Sequence, residues 1–101
     1  MTQLEKEIEQ KLRKMVRSRG GWCLKWVSPG SAGVPDRICL LPGRRIYFVE
    51  TKRPKGGVLS ARQKFWRRVL QTLGFFYTVA WTVEDVNTLE LVILNDAICK
   101  K

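Results

Sequence analysis

Histidine is missing from the chain altogether. Its absence removes the Ser-His-Asp triad, the Cys-His pair, zinc-protease motifs and any imidazole general base. Any catalysis must rest on carboxylates, lysine and a metal. Acids are scarce as well: 9 Asp and Glu stand against 19 Lys and Arg, a formal charge of +10. Such a surface attracts polyanions, chiefly nucleic acid or an anionic membrane. Cysteine is limited to Cys23, Cys39 and Cys99. An odd count at irregular spacing supports neither a disulfide framework nor a zinc site. Cys23 and Cys39 sit among apolar strand-like residues, which suits reduced core thiols and a cytosolic setting. No apolar run approaches the roughly 18 residues needed to span a bilayer. The first ten residues are charged and helical in pattern, unlike a signal peptide.

What is present suffices for one folded domain. The chain has 101 residues, 45% hydrophobic and 10% aromatic. That composition supplies a core and argues against a disordered basic tail. A domain of this size is only modestly stable, and a partner subunit would help it. Residues 3–18 read as a helix, because Leu4, Ile8, Leu12 and Met15 recur at helical spacing, and Gly20 and Gly21 end it. Residues 22–27 read as a strand, 28–35 (SPGSAGVP) as a loop, and 37–41 as a second strand. Pro42, Gly43 and Arg44 form a tight turn into a third strand at 45–52. Ser60 is a good N-cap for a helix running to about residue 73, which Gly74 ends. Residues 75–81 form a fourth strand. Residues 83–91 suit a last helix, and the apolar run 91–94 fits either its end or a short strand. The order α-β-β-β-α-β, with a possible extra helix, predicts an α/β domain with a central mixed sheet flanked by helices.

The chain has 3 aspartates, and Asp36 has the most informative position. It follows the Gly/Pro-rich loop and opens a strand. Glu50 and Lys52 lie near the end of the next strand, on one face with Ile46 and Phe48. If residues 42–44 are a three-residue turn, Leu41 opposes Arg45 and, counting outward, Asp36 opposes Glu50. Facing Cβ atoms in such a ladder are about 4.5–5.5 Å apart. Two carboxylates so close repel unless a cation lies between them, and Mg²⁺ or Mn²⁺ with its oxygen ligands fits. A two-residue turn would put Asp36 on the other face.

These residues carry a family resemblance. Gly33-Val34-Pro35-Asp36, Val49-Glu50-Thr51-Lys52, and Gln63 after Leu59-Ser60 resemble the PD-(D/E)xK nuclease superfamily. Together with Cys23-Leu24-Lys25-Trp26-Val27-Ser28-Pro29-Gly30, they resemble its virus-type replication-repair nuclease (VRR-NUC) family over residues 5–81. The resemblance implies a restriction-endonuclease-like fold and a Mg²⁺- or Mn²⁺-dependent phosphodiester hydrolase acting on DNA. Asp36 and Glu50 would bind the metal, joined by the Thr51 carbonyl and a glutamate of the first helix. Glu9 matches that position, and Glu5, one turn earlier, is the alternative. Lys52 would orient or deprotonate the attacking water and steady the phosphate. Standalone members resemble Holliday-junction resolvases. They imply branched DNA as substrate, a homodimer, no membrane, and the cytoplasm as location (the host's if the protein is viral).

Each feature also has a plainer explanation. Pro-Asp is ordinary turn chemistry, and Glu50 with Lys52 could be a surface pair on a strand end. Their joint register beside a surface of +10 favours the catalytic reading. Glu9 precedes Arg13 by four, a favourable helix pair, yet lies at the edge of the apolar stripe. Gln63 completes a capping box with Ser60, but it also lies on the inward stripe of Leu59, Trp66, Leu70 and Leu73, and with the resemblance this places it among the catalytic-site candidates. Lys25, Ser28, Arg53, Lys55, Arg62 and Lys64 border the predicted site and are candidate DNA contacts. For Ser28 a simple turn role is the stronger reading. Phe75, Phe76 and Tyr77 fit either a dimer interface or the core. A different class, a non-catalytic basic DNA- or RNA-binding module, would keep the charge without needing opposed carboxylates. A toxin-like or structural protein is a third, weaker reading.

Overall fold

The computed structural model describes residues 3–53 and 56–99. The chain runs α1 (Gln3–Ser18), β1 (Trp22–Lys25), β2 (Arg37–Leu41), β3 (Arg45–Thr51), α2 (Ala61–Thr72), β4 (Phe76–Ala80) and α3 (Val83–Cys99). The four strands form one sheet in the order β1-β2-β3-β4. The first three pair antiparallel, and β4 pairs parallel with β3 after the α2 crossover. A parallel neighbour needs such a crossover, whereas the β2–β3 hairpin needs only its short turn.

The alternation along β3 divides the core. Tyr47 and Val49 point to one face, where Ile8, Leu12, Met15 and Val16 of α1 and Val86, Leu89 and Ile93 of α3 close over them. Phe48 points to the other, against Leu70 of α2 and Tyr77 of β4. The result is three layers, with α1 and α3 on one side of the sheet and α2 on the other. The helical stripe read from Ile8, Leu12 and Met15 is the buried face of α1.

The last element is longer than its sequence pattern suggests. Residues 91–94 belong to α3, not to a strand. Thr82 and Asp85 cap its start: the Asp85 amide donates to Thr82 Oγ1 at 3.2 Å, and Asp85 Oδ2 accepts from the Thr82 and Trp81 amides at 3.1 and 2.7 Å. Near its other end, the buried Arg45 donates from Nη1 to the Ile93 carbonyl at 2.7 Å, and Tyr47 donates to Asp96 Oδ2 at 2.6 Å. Two of the three aspartates are thereby committed to holding α3.

The turn at residues 42–44 has three residues, since Leu41 pairs with Arg45. Gly43 and Arg44 both take positive φ, 84° and 61°, so the chain reverses without an added rung. The loop before β2 is fixed by Gly33, whose φ is +93°, and a Cβ there would lie 2.6 Å from the Arg62 backbone. This close approach seats the loop on the first turn of α2 and delivers the chain to Asp36. Gly33→Ala is expected to lose about 1–3 kcal/mol of stability. Urea denaturation checks this, and an unchanged midpoint would contradict it.

Candidate active site

The rungs between β2 and β3 end at Arg37 opposite Val49. Asp36 immediately precedes this last rung, and its charge reaches Glu50. Glu50 is only 4% exposed. It shares a face of β3 with Phe48 and so lies on the α2 side of the sheet, where its Oε2 is buried with no hydrogen-bond partner among the described residues. Asp36 is held by Thr51, which donates from its amide to Oδ1 at 3.1 Å and from its hydroxyl to Oδ2 at 2.6 Å. The Lys52 amide donates to the Ala80 carbonyl at 3.0 Å, which fixes the backbone of this half-buried residue next to Thr51.

The electrostatics follow from this placement. Burial first, and the charge of Asp36 second, push the Glu50 carboxyl up to about 8; the Lys52 ammonium opposes the rise and Glu5 adds to it. Burial also raises Asp36, against the two Thr51 hydrogen bonds, and Glu9 adds to that rise. The cost of ionising Glu50 is the cost of a buried carboxylate facing another. A hard divalent cation would remove it, and the donors within reach are all oxygens. The orphaned Glu50 Oε2 and the spare acceptor capacity of Asp36 fit such an ion. Among the described residues, no three Asp, Glu or Cys side chains are grouped closely enough to hold a metal by themselves.

Helix α1 brings two glutamates toward this pair. Glu9 Oε2 accepts an ion pair from Arg37 Nη2 at 3.3 Å, and Glu5 Oε1 accepts the Arg53 amide at 3.0 Å. Gln63 forms the capping box: its Oε1 accepts from the Ser60 amide at 2.8 Å, and its own amide donates to Ser60 Oγ at 3.1 Å. Ser28 has a turn role, its carbonyl accepting from the Ser31 amide at 3.1 Å. Lys25, Arg53, Arg62 and Lys64 are exposed; Lys55 lies outside the described residues. Just past α1, Arg19 is taken up by an ion pair with Glu90 at 2.9 Å, and Arg17 in the last turn of α1 lies over the Trp22 ring at 4.0 Å.

Two neighbours escaped the sequence reading. Arg37 looks like an ordinary strand cation, and only the packing of α1 on β2 reveals its partner Glu9; its Nε is buried without a partner. Tyr77 is buried with its hydroxyl unpartnered; burial, then the charge of Glu50, pushes it up to about 12. The aromatic run 75–77 divides accordingly, with Tyr77 and Phe76 packed in the two cores and Phe75, 39% exposed, set edge-on against Phe48.

With this geometry in view, comparison with known proteins is informative. No protein-family model matches the chain. A solved structure of a VRR_NUC domain superposes with a TM-score of 0.81 at 23% identity, covering 87% of this chain and 95% of that one. The chain therefore has a restriction-endonuclease-like α/β fold. Its particular fold is that of the VRR-NUC domain, the same type that the residues around Asp36 and Glu50 resemble. In sequence it is 52% identical over 50 residues to "Putative nuclease p44" of Acyrthosiphon pisum secondary endosymbiont phage 1. That match takes in 50% of this chain and 54% of the relative, so the chain spans about half the length of that protein. Among the described residues, no helix is long and apolar enough to cross a membrane.

The raised Glu50 value has a consequence for the metal-free protein. A carboxyl held above its ordinary value keeps its proton longer in the fold than in the unfolded chain. Its stabilising contribution is complete below the ordinary value of 4.5 and is lost as the pH climbs through about 8. Thermal unfolding in EDTA is expected to show stability falling across that window. Glu50→Gln should remove most of the slope and be more stable than the parent at pH 8, by roughly 2–3 kcal/mol. Equal slopes in the two proteins would contradict the burial and repulsion described.

Proposed function

We propose that the chain is a Mg²⁺- or Mn²⁺-dependent nuclease that hydrolyses phosphodiester bonds in branched DNA such as Holliday junctions, acting as a homodimer. The observation that carries this reading is Asp36 acting on the buried Glu50, whose Oε2 has no hydrogen-bond partner among the described residues. The VRR-NUC fold and the nuclease named in the phage relative support the reaction class. The net charge of +10 supports a polyanionic substrate.

The cation would rest on Asp36 and Glu50, with the Thr51 carbonyl and one α1 glutamate as further ligands. When bound, it supplies Lewis acidity, a more acidic water and positive charge near the phosphate. The protein's own groups do the remaining work. Thr51 holds the Asp36 carboxylate in place through two hydrogen bonds. Lys52, anchored through its backbone at the end of β3, offers an ammonium to a phosphate oxygen and to the attacking water. Gln63 has its oxygen engaged by Ser60, so its amide nitrogen is the group left to meet a phosphate. Lys25, Ser28, Arg53, Lys55, Arg62 and Lys64 would contact the flanking backbone.

Glu9 and Glu5 remain the two candidates for the helix ligand. Glu9 must share its carboxylate with Arg37, whereas Glu5 already acts on Glu50. Glu9→Gln and Glu5→Gln separate them: loss of the ligand weakens Mn²⁺ affinity, and loss of the other does not. The homodimer reading draws support from α3, where Leu91, Leu94 and Ile98, at spacings of three and four, expose apolar surface outward. Sedimentation is expected to show a dimer that Leu91→Glu with Ile98→Glu converts to monomer; a monomeric parent would refute this part.

The decisive assay incubates labelled four-way, flapped and linear DNA with the protein in Mn²⁺ or EDTA. Metal-dependent cutting that favours the four-way substrate is expected. Asp36→Asn and Glu50→Gln should each cut roughly 100-fold more slowly or worse while still binding DNA. Full activity in either variant would refute the site. Binding by the parent without metal-dependent cleavage would identify a basic binding module instead.

A further inference from the structure

Cys23 on β1 and Cys39 on β2 are directly opposed. The type of rung they occupy follows from a neighbouring bond. The Trp26 amide donates to the Asp36 carbonyl at 2.9 Å, so Trp26 and Asp36 form a hydrogen-bonded rung. Rungs alternate along an antiparallel pair. Three steps away, Cys23 and Cys39 therefore fall on a non-hydrogen-bonded rung. There the Cα atoms are about 4.5 Å apart and the side chains closest, within the span of roughly 4.4–6.8 Å that a disulfide bridges.

The chemistry of the two thiols differs. Both are free, Cys39 fully buried and Cys23 partly open to solvent. They share a hydrogen bond, which favours the thiolate at Cys23 against the opposing effect of burial, with Arg37 and Arg13 adding to it. The same bond and burial keep Cys39 protonated. Simple core packing accounts for Cys39. Cys23, directly opposite on the edge strand β1, packs against the same core but keeps part of its surface open to solvent.

We propose that Cys23 and Cys39 form an oxidisable dithiol that closes into an intramolecular disulfide with peroxide as oxidant, clamping both ends of the loop that delivers Asp36. The Cys23 sulfur attacks the peroxide, an S–O bond forms as the O–O bond breaks, and water leaves. The Cys39 sulfur then displaces the second oxygen as water, forming the S–S bond. Two thiols and one peroxide become one disulfide and two waters, so two electrons pass from sulfur to oxygen. The loop at 26–35 starts three residues after Cys23 and ends four before Cys39, so the bond ties its base on both sides. This inference stands apart from the nuclease reading, because it needs neither metal nor DNA.

The test uses the full chain carrying Cys99→Ser, so that the third cysteine cannot cross-link subunits. After stoichiometric hydrogen peroxide, thiols titrated under denaturing conditions should fall from two to none, the mass should drop by two hydrogens, and dithiothreitol should restore both. Proteolytic mapping without reductant should link the peptides bearing Cys23 and Cys39, and amide exchange across 26–36 should slow. The same mapping on the unsubstituted chain guards against an effect of Cys99→Ser on folding. Oxygen addition at Cys23 with Cys39 still titratable, covalent dimers through either residue, or two unreacted thiols would each overturn the proposal.

Discussion

Two carboxylates that the backbone will not let apart organise this molecule. The three residues between β2 and β3 set which side chains face each other along the whole hairpin, and just past its outermost rung, Arg37 with Val49, Asp36 comes within electrostatic reach of Glu50. In water such a pair would drift apart. Here Asp36 is tied to Thr51 on the adjacent strand, and Glu50 is closed in by the α2 layer with one oxygen unsatisfied. The fold thereby stores an electrostatic penalty at one end of the sheet and offsets it with buried apolar surface on both faces. Sites that tolerate such a penalty are commonly those that meet a ligand of opposite charge.

The supporting structure can be understood from that constraint. α1 and α3 cover one face and α2 the other. The Asp85 carboxylate caps α3, and Asp96 receives the Tyr47 hydroxyl. Asp36 is the aspartate left for the site. Cations are plentiful around it, yet few have internal partners among the described residues: Arg37 pairs with Glu9, and Arg19 with Glu90. The surplus is what a phosphate backbone would neutralise.

Much of this was legible before any coordinates. The stripe Ile8, Leu12, Met15 defined α1, and the turn at 42–44 fixed the register that brings Asp36 to Glu50. Ser60 and Gln63 announced the start of α2 through their capping spacing. Where local pattern failed, the cause was physical. The outer face of α3 carries Leu91, Leu94 and Ile98, so its apolar periodicity is blurred and residues 91–94 read equally as a strand. The Arg37–Glu9 pair joins residues far apart in sequence and left no local trace. Thr51 was read for its carbonyl, while its side chain and amide turn out to hold Asp36. Arg45 resembles an exposed strand residue but is buried, donating to Pro42 and Ile93 carbonyls.

If the cost of ionising Glu50 is what a bound cation relieves, occupation of the site must expel a proton. At pH 7 Glu50 is largely protonated in the metal-free protein, because its carboxyl lies near 8. Calorimetric titration of Mn²⁺ at that pH, in two buffers of different ionisation enthalpy, measures the protons released on binding. The account predicts binding heats that differ between the buffers by most of one proton's worth, and that converge in Glu50→Gln or with binding lost. Tight Mn²⁺ binding with the same heat in both buffers would contradict it.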